Sequence, residues 1–108
     1  MTRVSITELN DGFLFECRGH AGYAGKGADI VCAGISALCM ALISRLETLA
    51  DENILSVESF HRADGELSAE VKYGDGELCR VKAREVLETV RAGFERIEAL
   101  YPEYAEIE

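Results

Sequence analysis

With 108 residues the chain is the size of one domain, large enough to build a hydrophobic core without disulfide or metal staples. Twenty acidic side chains against eleven basic ones give a net charge of -9, which repels phosphate backbones, sets direct nucleic-acid binding aside and suits basic protein partners. The longest apolar run, Ile30 to Ile43 with Ser36 as its polar interruption, falls short of the roughly 20 residues a bilayer requires, so no membrane partner is expected.

The chain opens on MTRVSITELNDG, which lacks the basic start and apolar stretch of a secretory leader. A cytoplasmic protein with reduced thiols at Cys17, Cys32, Cys39 and Cys79 is therefore expected. The runs RVSITEL and FLFECR read as strands joined at Asn10-Asp11-Gly12, because Asp-Gly supplies the positive φ that a tight hairpin needs. Phe13, Phe15 and Cys17 alternate onto one face of the second run. A helix follows from Asp29 to about Asp51, apolar nearly all round for its first four turns, so it calls for cover on more than one side and a second copy of the chain is one source of it.

A second strand pair, ILSVESFH and ELSAEVKY, is joined at Ala63-Asp64-Gly65, and Leu67, Ala69, Val71 and Tyr73 share its inner face. From about Arg80 to Tyr101, apolar residues at Val86, Leu87, Val90, Phe94, Ile97 and Leu100 keep helical spacing until Pro102 ends it. EYAEIE reads as a frayed acidic tail. The expected fold is a single α+β domain over residues 1–108: two hairpins forming an antiparallel sheet, with two helices, in a two-layer β-β-α-β-β-α arrangement.

Chemistry concentrates between Gly19 and Leu38, GHAGYAGKGADIVCAGISAL. Asp29 is placed to cap the apolar helix, and Cys32 then sits in its first turn, where free N–H groups and the macrodipole favour a thiolate. Asp29, Cys32, Ser36 and Cys39 fall on one stripe of a helical wheel. His20 ends the preceding strand, and the segment Ala21, Gly22, Tyr23, Ala24, Gly25, Lys26, Gly27 and Ala28 is loose enough to fold it back over the helix start or to cover a ligand.

Other readings compete. Free cysteines are more often packed than reactive, which suits Cys39 and Cys17, and Asp29 is as readily a cap as a catalytic group. Cys17-x-x-His20 with Cys32 and Cys39 offers a zinc set, but the second closely spaced ligand pair is missing, so no metal or other cofactor is expected. His61 reads as a solvated residue of the second hairpin. On pattern alone, Cys32 with His20 stays open between packing and catalysis.

The same twenty residues resemble the signature of the ribosomal-processing cysteine protease family, Prp. The likeness runs through Gly19-His20-Ala21, Asp29-Ile30-Val31-Cys32-Ala33 and Ile35-Ser36-Ala37-Leu38, with Gly34 where alanine is common. The resemblance implies a homodimeric cysteine endopeptidase that removes the N-terminal extension of a large-subunit ribosomal protein during ribosome maturation. It makes Cys32 the nucleophile and His20 its general base, with Asp29 and Ser36 in support and the loop Ala21 to Ala28 closing on the peptide. The alternative is a non-catalytic dimeric module that binds a basic ribosomal protein through the same loop.

Overall fold

A computed structural model describes residues 1–108. In chain order it comprises β1 (Thr2–Leu9), β2 (Gly12–Arg18), α1 (Ile30–Asp51), β3 (Leu55–Ala63), β4 (Glu66–Tyr73), α2 (Glu77–Leu100) and β5 (Ala105–Ile107). The first six elements follow the expected β-β-α-β-β-α order. The sheet is a mixed one of five strands, ordered β3-β4-β2-β1-β5, with every pair antiparallel except β1 and β5.

The C-terminal segment is thus a strand and not a frayed tail. Its three residues lie parallel to β1, in the register Thr2↔Ala105 to Val4↔Ile107. Fastenings outside the ladder explain why so short a strand holds: Ile107 N–H donates to Glu98 Oε2 at 2.9 Å, Thr2 N–H donates to the Tyr104 carbonyl at 3.0 Å, and the Ala105 methyl is buried.

Alternation puts Val4, Phe13, Phe15, Cys17, Ala69, Val71 and Tyr73 on one side of the sheet, where they meet Val31, Ile35, Cys39, Leu42, Leu46 and Leu49 of α1 and Ala83, Leu87, Val90 and Phe94 of α2 in a single core. Phe15 stacks on Phe94 with ring centroids 5.8 Å apart. Gly12 allows the central pairing, since a Cβ there would lie 1.7 Å from the Val71 carbonyl oxygen. By length and composition α1 could cross a membrane, yet its inner stripe is committed to the sheet. Its outer stripe is not, and Ile30, Ala33, Ala37 and Met40 are exposed.

This order gathers one end of the sheet into a working face. The end of β2 meets the β3–β4 turn there, and the loop after β2 ties the start of α1 to the residues after α2.

Candidate active site

Asp29 adopts extended backbone geometry just before α1 and caps it. Its Oδ1 accepts the Cys32 N–H at 2.9 Å, while Oδ2 accepts from the Tyr23 N–H at 2.9 Å and the Ala24 N–H at 3.4 Å. The Cys32 N–H is the foremost of the donors that hold the Asp29 carboxyl below the usual carboxylate range, against partial desolvation and with help from the amides of Ala24, Tyr23 and Val31. The carboxylate is therefore held ionised as a helix cap, bonded to backbone amides.

Cys32 is the third residue of α1, half-buried, with a free thiol. Ser36, one turn on, is exposed. The predicted polar stripe divides at this point, because Cys39 turns into the core beside Cys17. The hydrogen bond between these two thiols, and then burial, push the Cys39 thiol well above its ordinary value, so it is a protonated packing group. Cys17 is buried whereas His20, three residues later, is exposed, so the zinc set weighed above does not converge.

The loop from Ala21 to Ala28 begins at a buried anchor, Ala21, and then runs exposed through Ala28. Gly22 and Gly27 take positive φ, 72° and 87°, that side chains resist. Tyr23 docks the loop on the segment after α2: its ring meets Tyr101 and Tyr104 edge-on, with centroids 5.5 and 5.2 Å away. Two surface concavities lie elsewhere, about 340 Å³ along the start of α2 at Arg80 and Arg84 and about 170 Å³ between Leu46 of α1 and Phe60 of β3. Neither includes His20 or Cys32.

His20 lies directly after β2 and makes no hydrogen bond to Cys32. Its imidazole rests on the β3–β4 turn, with Nε2 3.8 Å from Asp64 Oδ1. The other histidine, His61, is an exposed residue of β3 whose Nε2 lies 3.3 Å from Glu66 Oε2. The β3–β4 turn is the part of the site that sequence reading missed, because only the pairing of β2 with β4 brings it to His20.

Over residues 1–106 the chain, with its half-buried cysteine in the first turn of an apolar helix, matches the family model described as Cysteine protease Prp. The chain belongs to the cysteine protease Prp family. Among solved structures it is similar to the ribosomal processing protease Prp from S. aureus in complex with a covalently linked product peptide, at 23% identity and a TM-score of 0.74, with 99% of this chain and 97% of that one covered. It is similar also to the same S. aureus protease in complex with a substrate peptide, at 22% identity, a TM-score of 0.66 and coverage of 100% and 98%. A third similar structure is SMU.848 from Streptococcus mutans, at 28% identity and a TM-score of 0.67, covering 99% of this chain and 93% of that one. No curated protein sequence matches. Family membership accounts for a chain this small with so much of its chemistry in one twenty-residue segment, and the Prp fold extends over its whole length.

Proposed function

We propose that this Prp-family chain is a cysteine endopeptidase that removes the N-terminal extension from a large-subunit ribosomal protein during ribosome maturation in the cytoplasm, with Cys32 as nucleophile and His20 as general base. The observation that carries the reading is the Asp29 cap: one carboxylate fixes both the backbone of Cys32 and the loop in front of it, so peptide entry and nucleophile position are set together. The structural neighbour from S. aureus, which carries a covalently linked product peptide, supports covalent chemistry on this fold. The net charge of -9 suits a basic ribosomal substrate.

The chemistry balances with the groups at hand. His20 takes the proton from the Cys32 thiol, and Sγ attacks the scissile carbonyl carbon. The positive end of the α1 macrodipole favours the oxyanion that develops on the carbonyl oxygen. The C–N bond breaks as His20 returns the proton to the leaving amine, which leaves a thioester on Cys32. Water activated by His20 then hydrolyses the thioester and restores the thiol. Asp29 and Ser36 support the reaction, Asp29 by holding the loop and the helix start. The exposed outer stripe of α1, Ile30 to Met40, serves a homodimer.

The deciding experiment is intact-mass analysis of the extended ribosomal protein after incubation with wild-type, Cys32→Ala and His20→Ala protein. One N-terminal truncation made by the wild type and by neither variant is expected. Uncut substrate that co-purifies with all three proteins would instead establish a binding module.

A further inference from the structure

The last ladder pair of β2 and β4 is Arg18↔Glu66, and the same register continued past it sets Gly19 against Gly65 and His20 against Asp64. The Gly19 N–H donates to the Gly65 carbonyl at 2.8 Å, which ties the backbone just before His20 to the β3–β4 turn. Gly19 must be glycine for this exit from the sheet: its φ is 90°, and a Cβ would lie 2.4 Å from the Met1 carbonyl oxygen. The imidazole then lies flush on Gly65, where a Cβ would come within 2.9 Å of Nε2, 3.4 Å of Cδ2 and 3.5 Å of Cε1. Gly65 itself has a φ of 72°, so turn geometry and ring contact both demand glycine.

Resting on the assignment of His20 as base, we infer that Asp64 and Gly65 are positioning residues that hold the His20 imidazole by its Nε2 edge and so keep Nδ1 as the nitrogen that serves the Cys32 thiol. A base held by a third group through its other ring nitrogen is the general logic of such sites. At 3.8 Å the Asp64 contact is longer than a hydrogen bond, and catalytic contacts in an unliganded enzyme are often long until substrate closes them. The Asp64 side chain is 98% exposed, so its role is to orient the ring and not to stabilise the fold. The glycine seat supplies the steric half of the same task.

The test uses full-length protein without peptide, so it does not depend on knowing the substrate. Long-range ¹⁵N correlation spectra, taken where the imidazole is neutral, report which nitrogen of His20 carries the proton, with His61 as internal reference. Iodoacetamide alkylation of Cys32, followed by mass, reports the base. In the wild type His20 is expected as the Nε2–H tautomer. Asp64→Ala mixes the tautomers and slows alkylation about tenfold, the lower end of the range for partners that act through another residue. Asp64→Asn, whose amide oxygen still accepts, restores both readings, and Gly65→Ala displaces the ring and behaves like Asp64→Ala. Unchanged tautomer and alkylation in Asp64→Ala overturn the positioning role, even if His20→Ala slows alkylation and so upholds the base. A change confined to the tautomer, with alkylation equal in wild type and His20→Ala, removes the base itself and this inference with it.

Discussion

Asp29 Oδ1 accepts the Cys32 N–H at 2.9 Å while the other oxygen of the same carboxylate accepts from Tyr23, so one side chain fastens the start of α1 to the loop that precedes it. Because this binding holds the Asp29 carboxyl below its ordinary range, its share of stability is complete above the ordinary carboxylate pKa and is lost as pH falls through the lower folded-state value. Asp29→Asn, which still caps with its amide oxygen, is expected to fold at neutral pH with a slightly lower melting temperature than the wild type. The two curves should converge in acid, and the window is the range below about pH 4. Asp29→Ala should melt lower than both at neutral pH and lose peptidase activity. Calorimetry across that range checks it, and a constant gap between wild type and Asp29→Asn down to low pH would separate the carboxylate's charge from its capping role.

Much of this was legible in the residues, and what was not had a physical cause. Asp64-Gly65 marked the second hairpin turn through the positive φ of Gly65, and Asp29 marked the start of α1, because those residues satisfy local backbone demands. At the first hairpin the expected positive φ is absent: the turn residues are Asn10 and Asp11, and Gly12 is already paired in β2, where the close Val71 carbonyl is what requires glycine. The start of α2 at Glu77, ahead of the expected Arg80, was hidden because Leu78 and Val81 face outward and break the apolar rhythm. β5 was hidden because glutamates surround it, and its strand character comes from pairing with β1 and from Glu98, over a hundred residues and nine residues away respectively. The partnership of His20 with Asp64 was invisible for the same reason: it depends on β4 lying beside β2, and strand order is a long-range choice.

Tyr23 latches the loop. Its two edge-on contacts, with Tyr101 and Tyr104, link the loop to the C-terminal segment. Aromatic pairs of this kind contribute about 0.5–1.5 kcal/mol each beyond burial, and Tyr23 is half exposed, so Tyr23→Ala should cost about 1 kcal/mol in stability. Hydrogen exchange at the Tyr23 and Ala24 amides should quicken while the α1 interior is unaffected. Tyr23→Phe, which keeps the ring, should behave as wild type. Equal exchange in Tyr23→Ala and wild type would show that Asp29 alone holds the loop.

The outer stripe of α1 tests the homodimer. Ile30 and Met40 are 57% and 61% exposed, with Ala33 and Ala37 between them offering close approach. Met40→Glu places a charge at the far end of that stripe without disturbing the core, so the melting temperature of an isolated subunit should change little. Sedimentation or light scattering is expected to show a dimer for the wild type and a monomer for Met40→Glu at the same micromolar concentration. A monomeric wild type would refute the dimer outright, and a dimeric Met40→Glu would move the interface to another face.

Cys32 and Cys79 make an internal comparison that separates helix effects from histidine effects. Each is the third residue of its helix, each is half-buried, and each is a free thiol. A helix start favours a thiolate through its macrodipole, and that benefit is available to both. The differences lie around them: Cys32 follows the loop that begins at His20, whereas α2 has no side-chain cap and opens on Glu77, whose charge opposes a thiolate. If His20 serves Cys32, limited iodoacetamide should label Cys32 about a hundredfold faster than Cys79, the lower end of what a positioned base contributes. In His20→Ala the ratio should fall towards one, with the Cys79 rate unchanged as the control. Buried Cys17 and Cys39 should stay unlabelled until the protein unfolds. Equal labelling of Cys32 and Cys79 in the wild type would mean that the helix start alone governs the thiol, and the Cys32–His20 dyad would have to be abandoned.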